Sequence, residues 1–253
     1  MINQFSRTEL LLGEEAMAKL AESKVAIFGI GGVGGYVAEA LARSGIGSLT
    51  LIDDDKVSLT NINRQIIATQ STIGRYKVTV MEERILDINP QAEIITHKVF
   101  YTPETAAHFP LEVYSYVVDA VDTVSAKLEL AMRAQAAGVP LISSMGAGNK
   151  LDPTRFEVVD IYQTSIDPLS RVMRRELKKR GIEKLKVVYS PEMPITPVDA
   201  LNFQEQEKGY ASGVLRSGKP KKSVPGSTAF VPSVVGLIIA SEVVKDLIAY
   251  HGS

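Results

Sequence analysis

A glycine-rich turn between a strand pattern and a helix pattern constrains this chain more than any other feature. Residues 24–29, KVAIFG, are a short β-branched run ending in glycine, as a buried strand requires. The following GGVGGYVAEALARSG switches to helical spacing, with Val33, Val37, Ala40 and Leu41 on one face, and stops at Gly45. Gly29-Ile30-Gly31-Gly32-Val33-Gly34 joins the two and matches G-x-G-x-x-G. The glycines let the backbone turn tightly and approach a phosphate, and a helix N-terminus offers free N–H donors and the positive end of a dipole. Asp53 follows Gly34 by 19 residues, at the end of the next strand pattern, SLTLID (48–53). There a carboxylate can accept ribose hydroxyls. The spacing predicts a nucleotide site.

The alternation continues. KVTVMEERILDINP (77–90) reads as a helix with Val78, Met81, Ile85 and Ile88 inward, ended by Asn89-Pro90. EIITHKV (93–99), YVVDAV (116–121) and PLISS (140–144) read as strands, and SAKLELAMRAQAAG (125–138) as a helix. Strands alternating with helices predict an α/β fold: a Rossmann-like, doubly wound, mostly parallel sheet with helices on both faces. The continuous apolar runs fit strands buried on both sides. After about residue 150 the pattern changes. FEVVDI (156–161) and KVVYS (186–190) are expected to extend the sheet, with the charged helix DPLSRVMRRELKKRG between them. Residues 199–225 are polar and aperiodic and are expected to form a mobile loop. The expected organisation is a single domain over 1–253, with a nucleotide-binding core (1–150) and a substrate-side C-terminal extension (151–253).

Composition excludes several classes. The longest apolar tract, FVPSVVGLIIASEVVKDLIAY (230–250), is interrupted by Glu242, Lys245 and Asp246. It leaves about 12 uncharged residues where a membrane span needs roughly 20, so a buried helix is expected, and no stable span. The N-terminus does not read as a signal peptide. A formal net charge of -1 argues against a general polyanion binder but leaves room for a local basic patch. Cysteine is absent, which removes disulfides, cysteine zinc sites, thiol nucleophiles and thioesters on this chain and fits a reducing cytoplasm.

The segment SLTNINRQIIATQSTIGRYK (58–77) gathers planar and cationic side chains behind Asp53-Asp54-Asp55. The backbone amides of a glycine loop can handle a dinucleotide's diphosphate. ATP attacked at phosphorus needs cations as well. Arg64 offers a planar fork and Lys77 a point charge. Asn61 and Gln65 can orient oxygens without adding charge. Asp122, after the strand YVVDAV, suits Mg2+, which prefers one or two carboxylates plus substrate phosphates. The plainer alternative reads Asp119 and Asp122 as caps and Lys77 as a solvated helix-start lysine, and Arg75 reads as a surface residue. His97 and His108 suggest no metal or proton-transfer role. These residues favour ATP and leave an NAD(P) oxidoreductase open.

The set GIGGVG…LIDDDKVSLTNINRQ…IGRYKV…DAVD closely resembles the ATP-binding core of the ubiquitin-activating-enzyme superfamily, over roughly residues 6 to 145. The resemblance implies ATP contacts at Gly31, Gly32, Asp53, Asp55, Asn61, Arg64, Gln65, Lys77 and Asp122, with Mg2+ on Asp122 and catalytic roles for Arg64, Lys77 and Asp122. It also implies a homodimer in which Arg7, in FSRTELLLGEEAM, reaches the partner's ATP. RTELLLGEEAMAKL, SSMGAGNKLDPTRFEVVDIYQTSIDPL, KVVYSPEMP and GSTAFVPSVVGLIIASEVVKDL are similar to the tRNA threonylcarbamoyladenosine dehydratase subfamily. Its members use ATP to cyclise N6-threonylcarbamoyladenosine in tRNA to a hydantoin. Lack of cysteine departs from relatives that hold zinc on CxxC pairs or form thioesters, so no zinc is expected. The alternative is adenylation of the C-terminal glycine of a ubiquitin-like sulfur-carrier protein, with a carrier or a cysteine-desulfurase-linked partner. A tRNA substrate directs attention to residues 171–186, which hold eight Lys/Arg against two Glu. Arg171, Arg174, Arg175 and Lys178 share one helical face as candidate phosphate contacts, with Lys219, Lys221 and Lys222 in the expected loop.

Overall fold

A computed structural model describes residues 2–198 and 225–250. Seven strands form one sheet: β1 (Lys24–Phe28), β2 (Ser48–Ile52), β3 (Glu93–His97), β4 (Tyr116–Asp119), β5 (Leu141–Ser144), β6 (Glu157–Asp160) and β7 (Lys186–Tyr189). Their order is β3-β2-β1-β4-β5-β7-β6. All neighbours are parallel except β6, which runs antiparallel to β7 at the edge. The chain leaves β1 toward β2 and β3, then returns to build β4, β5 and β7 on the other side. That reversal opens a crevice at the carboxyl ends of β1 and β4, where doubly wound sheets take ligands. In the register, Phe28 stands beside both Ile52 and Asp119, so Gly29, Asp53 and the turn after Asp119 emerge together.

Alternate side chains of β1 serve opposite faces of the sheet, as a pleated strand must. Val25 and Ile27 belong to one core cluster, with residues of α3 (Gly34–Arg43), α4 (Lys77–Ile88) and the C-terminal helix α7 (Phe230–Leu247). Ala26 and Phe28 belong to the other, with α5 (Val124–Ala137). A third cluster joins α5, β7 and α6 (Pro168–Lys179). Phe28 meets Tyr101 and Phe109 edge-on at ring-centroid distances of 4.7 and 5.7 Å. His97 packs on Phe109 in the same manner at 5.1 Å, an aromatic packing position.

Two short N-terminal helices, α1 (Ser6–Leu12) and α2 (Glu14–Glu22), precede β1 and are absent from the sequence-based reading. Glycine at 13, with φ +85°, separates them. The tract 230–250 is the expected buried helix: Val231, Val235, Ile239 and Val243 are fully buried. It crosses α3 closely at Gly236, where a Cβ would lie 2.5 Å from the Val33 carbonyl and 2.8 Å from Tyr36 Cβ. No helix among the described residues is long and apolar enough to cross a membrane. The residues after 150 contribute β6 and β7 to the common sheet and α7 to the core beside α3. The expected loop, except residue 225, lies outside the described residues, with Lys219, Lys221 and Lys222.

Candidate nucleotide site

The glycine loop is shaped by two positions that admit no side chain. Gly29 has φ +91°, and a Cβ there would lie 2.7 Å from the Ala120 carbonyl oxygen. A Cβ on Gly34 would lie 1.8 Å from the Gly29 oxygen. Next to Gly31 the space is open, its nearest neighbour being Gln65 Nε2 at 3.9 Å from a built Cβ. No side chain caps the N-terminus of α3; the Gly35 and Tyr36 amides donate to Gly31 O and Val33 O at 3.0 Å, so what the helix turns toward an anion is chiefly the positive end of its dipole. Gly32 lets α7 come close: its built Cβ would be 3.2 Å from Pro232 and 3.6 Å from Arg64 Cγ.

Asp53 braces this loop. Its Oδ2 accepts from the Ile30 amide at 2.7 Å, and its Oδ1 from the Asp55 amide at 2.8 Å. Burial raises its carboxyl above the ordinary aspartate range, against the opposing pull of Lys77 and these two amides. A carboxylate offers about four lone-pair sites, so two remain for ribose hydroxyls.

The polar stretch after Asp53 leaves and returns on one antiparallel seam. Val57 N donates to Arg75 O, Gly74 N to Val57 O, and Lys77 N to Asp55 O, at 2.8, 2.8 and 3.0 Å. The seam delivers Lys77 as the first residue of α4, where a cation opposes the helix dipole. Asp55 Oδ2 at 2.9 Å and Asp53 Oδ1 at 4.0 Å compensate it. Within the loop, Asn61 Oδ1 accepts from Ser58 N at 3.0 Å. Arg64 Nη1 donates to Thr60 O at 2.8 Å and to Asn63 Oδ1 at 2.9 Å. Gln65 is buried, and its Oε1 has no hydrogen-bond partner. An unsatisfied buried amide costs about 1–3 kcal/mol. Amide oxygen and nitrogen exchange by a simple flip, so this group suits a ligand oxygen. Arg75 pairs with Glu83 at the surface.

Asp122 is exposed in the turn after β4 and accepts from Thr123 Oγ1 at 3.2 Å. Asp119 is not a cap. It is fully buried and paired with Lys127, 3.1 Å from each carboxylate oxygen. It also accepts from the Val121 amide at 3.2 Å, which fixes the turn that carries Asp122. Sequence reasoning passed over Lys127 because a lysine among helix residues reads as solvated.

Other candidates lie apart from this crevice. Arg7 is exposed on α1, in a groove with Leu11, Ser44, Leu237 and Lys245. Ser44 caps the C-terminal end of α3, the end away from the glycine loop of its own chain. On α6, Arg171, Arg175 and Lys178 are exposed. Arg174 shares the spacing but turns inward, donating to the Thr164 carbonyl at 2.9 Å and to its hydroxyl. Glu176 pairs with Arg175, Lys179 and Arg180, and these cations hold its carboxyl at about 2.

A ThiF family model matches residues 5–253. The chain is 47% identical over 249 residues to a Bacillus subtilis tRNA threonylcarbamoyladenosine dehydratase, covering 98% of this chain and 96% of that protein. A crystal structure of Escherichia coli tRNA N6-threonylcarbamoyladenosine dehydratase in complex with AMP superposes with a TM-score of 0.84 at 35% identity, over 97% of this chain and 94% of that one. The same enzyme in complex with ATP gives 0.83 at 34%, with the same coverage. Glycine loop, bracing aspartate and cationic seam thus stand in a chain that belongs to the ThiF family.

Proposed function

We infer that this chain is an ATP-dependent tRNA threonylcarbamoyladenosine dehydratase, which converts N6-threonylcarbamoyladenosine in tRNA to its cyclic hydantoin through an acyl-adenylate. The observation that carries this reading is Lys77: a nearly buried cation at the wrong end of a helix, held by the exposed Asp55 beside an Asp53-braced glycine loop. A structural lysine would not be put there; a phosphate ligand would. The open space at Gly31, the uncapped α3 N-terminus and the unsatisfied Gln65 amide fit ATP.

In the first step a threonyl carboxylate oxygen bonds to the α-phosphorus, the bond to the β-phosphate breaks, and pyrophosphate leaves. Charge grows on the phosphoryl oxygens, so catalysis is chiefly electrostatic positioning. Arg64 meets this charge on the α-phosphoryl group. Lys77 exchanges Asp55 for the β- and γ-phosphates. Asn61 and Gln65 orient phosphate oxygens, the Gly31 and Gly32 backbone lies along them, and Asp53 accepts from the ribose. Asp122 would hold Mg2+, which supplies further positive charge to the phosphates when bound. In the second step the substrate's ureido nitrogen attacks the acyl carbon and loses its proton, and AMP departs with the former carboxylate oxygen. Closure of a five-membered ring has a high effective molarity and needs no thiol, in keeping with a chain without cysteine.

Arg7 of a second copy would complete the site in a homodimer, a reading supported by its groove beside Ser44, at the end of α3 away from its own glycine loop, and by Leu10 and Leu11, 88% and 83% exposed on α1. Arg171, Arg175 and Lys178 would meet tRNA phosphates, and the enzyme would work in the cytoplasm with that substrate. The test is to incubate the protein with ATP, Mg2+ and tRNA bearing threonylcarbamoyladenosine, digest the RNA mildly and weigh the nucleosides. Loss of one water with AMP formed is the expected result. An unchanged mass, with AMP released only when a sulfur-carrier protein is supplied, would move the assignment to carrier activation.

A further inference from the structure

Arg64 is not held by its own loop alone. Its Nη1 donates to Asn63 Oδ1 at 2.9 Å, and Asn63 Nδ2 donates in turn to the Ser227 carbonyl at 3.0 Å. A guanidinium only donates and a carbonyl only accepts, so this amide has one possible orientation. Ser227 precedes α7, in a segment of the C-terminal extension clamped to the turn after β5. Asn149 N donates to Gly226 O at 2.8 Å, and Gly226 N donates to Asn149 Oδ1 at 2.7 Å. Asn149 adopts the left-handed conformation, φ +59°, which asparagine tolerates better than most residues. Its own carbonyl accepts from Ile195 N at 2.8 Å. The next residue, Lys150, is buried, donates to Ser190 O at 2.8 Å and lies 3.6 Å from Asp167. A continuous polar chain therefore runs from the end of β7 and the start of α6 to the adenylating guanidinium.

We propose that Asn63 is a positioning residue for adenylation, coupling Arg64 to the C-terminal extension through Ser227, whose segment Asn149 holds in place. This rests on the role assigned to Arg64 above. Asn63 is exposed, so packing in the core does not explain an amide bonded on both sides. An arginine fork is effective only when its direction is set before charge develops; Thr60 O holds Arg64 Nη1 from within the loop, and Asn63 ties it to Ser227 beyond the loop. The extension's placement against substrate is then felt at the phosphorus.

The test compares AMP formation on tRNA bearing threonylcarbamoyladenosine in the full chain and in Asn63→Ala, Asn149→Ala, the double variant and Arg64→Ala. Asn63→Ala should lower kcat about tenfold or more, as misplacement by an ångström can, with KM for ATP almost unchanged. Asn149→Ala should lower kcat by less, because it loosens Ser227 without touching Arg64. The double variant should be no worse than Asn63→Ala, since both act along one path. Wild-type kcat in Asn63→Ala, or a full multiplicative loss in the double variant, would overturn the proposal. So would a raised KM for ATP at unchanged kcat, which would make Asn63 a nucleotide-binding group. Should Asn149→Ala lower the unfolding midpoint, the exposed Asn63→Ala decides alone. Normal turnover by Arg64→Ala would instead refute the reading of the site. An inactive Arg64→Ala beside an unaffected Asn63→Ala would refute this inference and leave that reading standing.

Discussion

Lys77 and Lys127 are both lysines in helices, both nearly inaccessible, and both paired with aspartate, yet their surroundings differ in kind. Lys127 is enclosed. Its ammonium lies 3.1 Å from both oxygens of Asp119 and 2.7 Å from the Ser144 carbonyl, and both charged side chains are 1% exposed. Lys77 is 7% exposed, but its nearest partner, Asp55, is 64% exposed. One pair is closed on every side. The other can give up its carboxylate for a ligand without stranding a charge in the core. A buried lysine marks a ligand site when its counter-charge can leave, and a structural lock when it cannot.

The largest expected effect is at the closed pair. Lys127→Met should lower unfolding free energy by about 3–5 kcal/mol, because Asp119 would be left charged and unpaired in the core; urea unfolding measures it. A loss under about 1 kcal/mol would remove the contrast. Lys77→Ala should do the opposite: kcat/KM for AMP formation falls about 10²–10³-fold, with the unfolding midpoint unchanged or raised, since a cation is removed from a helix N-terminus.

A third arrangement, Glu39 with Arg84 and Arg43, sharpens the scale between these extremes. Burial, the largest influence, raises the Glu39 carboxyl, but the two guanidiniums outweigh it and hold it below the usual range. A carboxyl depressed in the folded state contributes stability above its ordinary value of 4.5, and that contribution is lost as pH falls through the folded value. The Arg84 and Arg43 side chains are 39% and 58% exposed, so screening limits the effect to about 1 kcal/mol. Wild type should exceed Glu39→Gln by that amount at pH 7, and the gap should close below pH 4.5. A gap that persists in acid would deny the ionic origin. The smallest effect is at the open pair itself. Asp55→Asn should tighten ATP binding about two- to fivefold, as an exposed competitor for Lys77 is removed. Weaker binding would make Asp55 a nucleotide ligand in its own right.

The open pair was legible in the sequence and the closed pair was not. Gly29–Gly34, Asp53 and the cations of 58–77 announce themselves because a phosphate site needs glycine where backbone meets ligand and charge where apolar pattern should continue. Lys127 and Asp119 announce nothing. Each sits at an ordinary polar position of its element, and only the pairing of β4 with β5, which brings Ser143 alongside Asp119, closes the cage. Arg174 shows the same limit in reverse: helical spacing placed it with Arg171 and Lys178, but a buried neighbour, Thr164, captures its guanidinium. The strand at 156–161 was expected but its antiparallel direction was not, since strand direction depends on how the preceding loop returns rather than on the strand's own residues. Asn63 reads as one more polar loop residue until Ser227, 164 positions later, lies against it.

The most direct test follows the oxygen. Threonylcarbamoyladenosine in tRNA, labelled with oxygen-18 in its carboxylate, is converted with unlabelled ATP, and the nucleotide product is weighed. Attack by that carboxylate on the α-phosphorus, followed by ring closure, should leave one oxygen-18 in AMP for each ring formed, with unlabelled pyrophosphate. Unlabelled AMP, or label in inorganic phosphate with ADP formed instead, would contradict adenylation at the Arg64–Lys77 site.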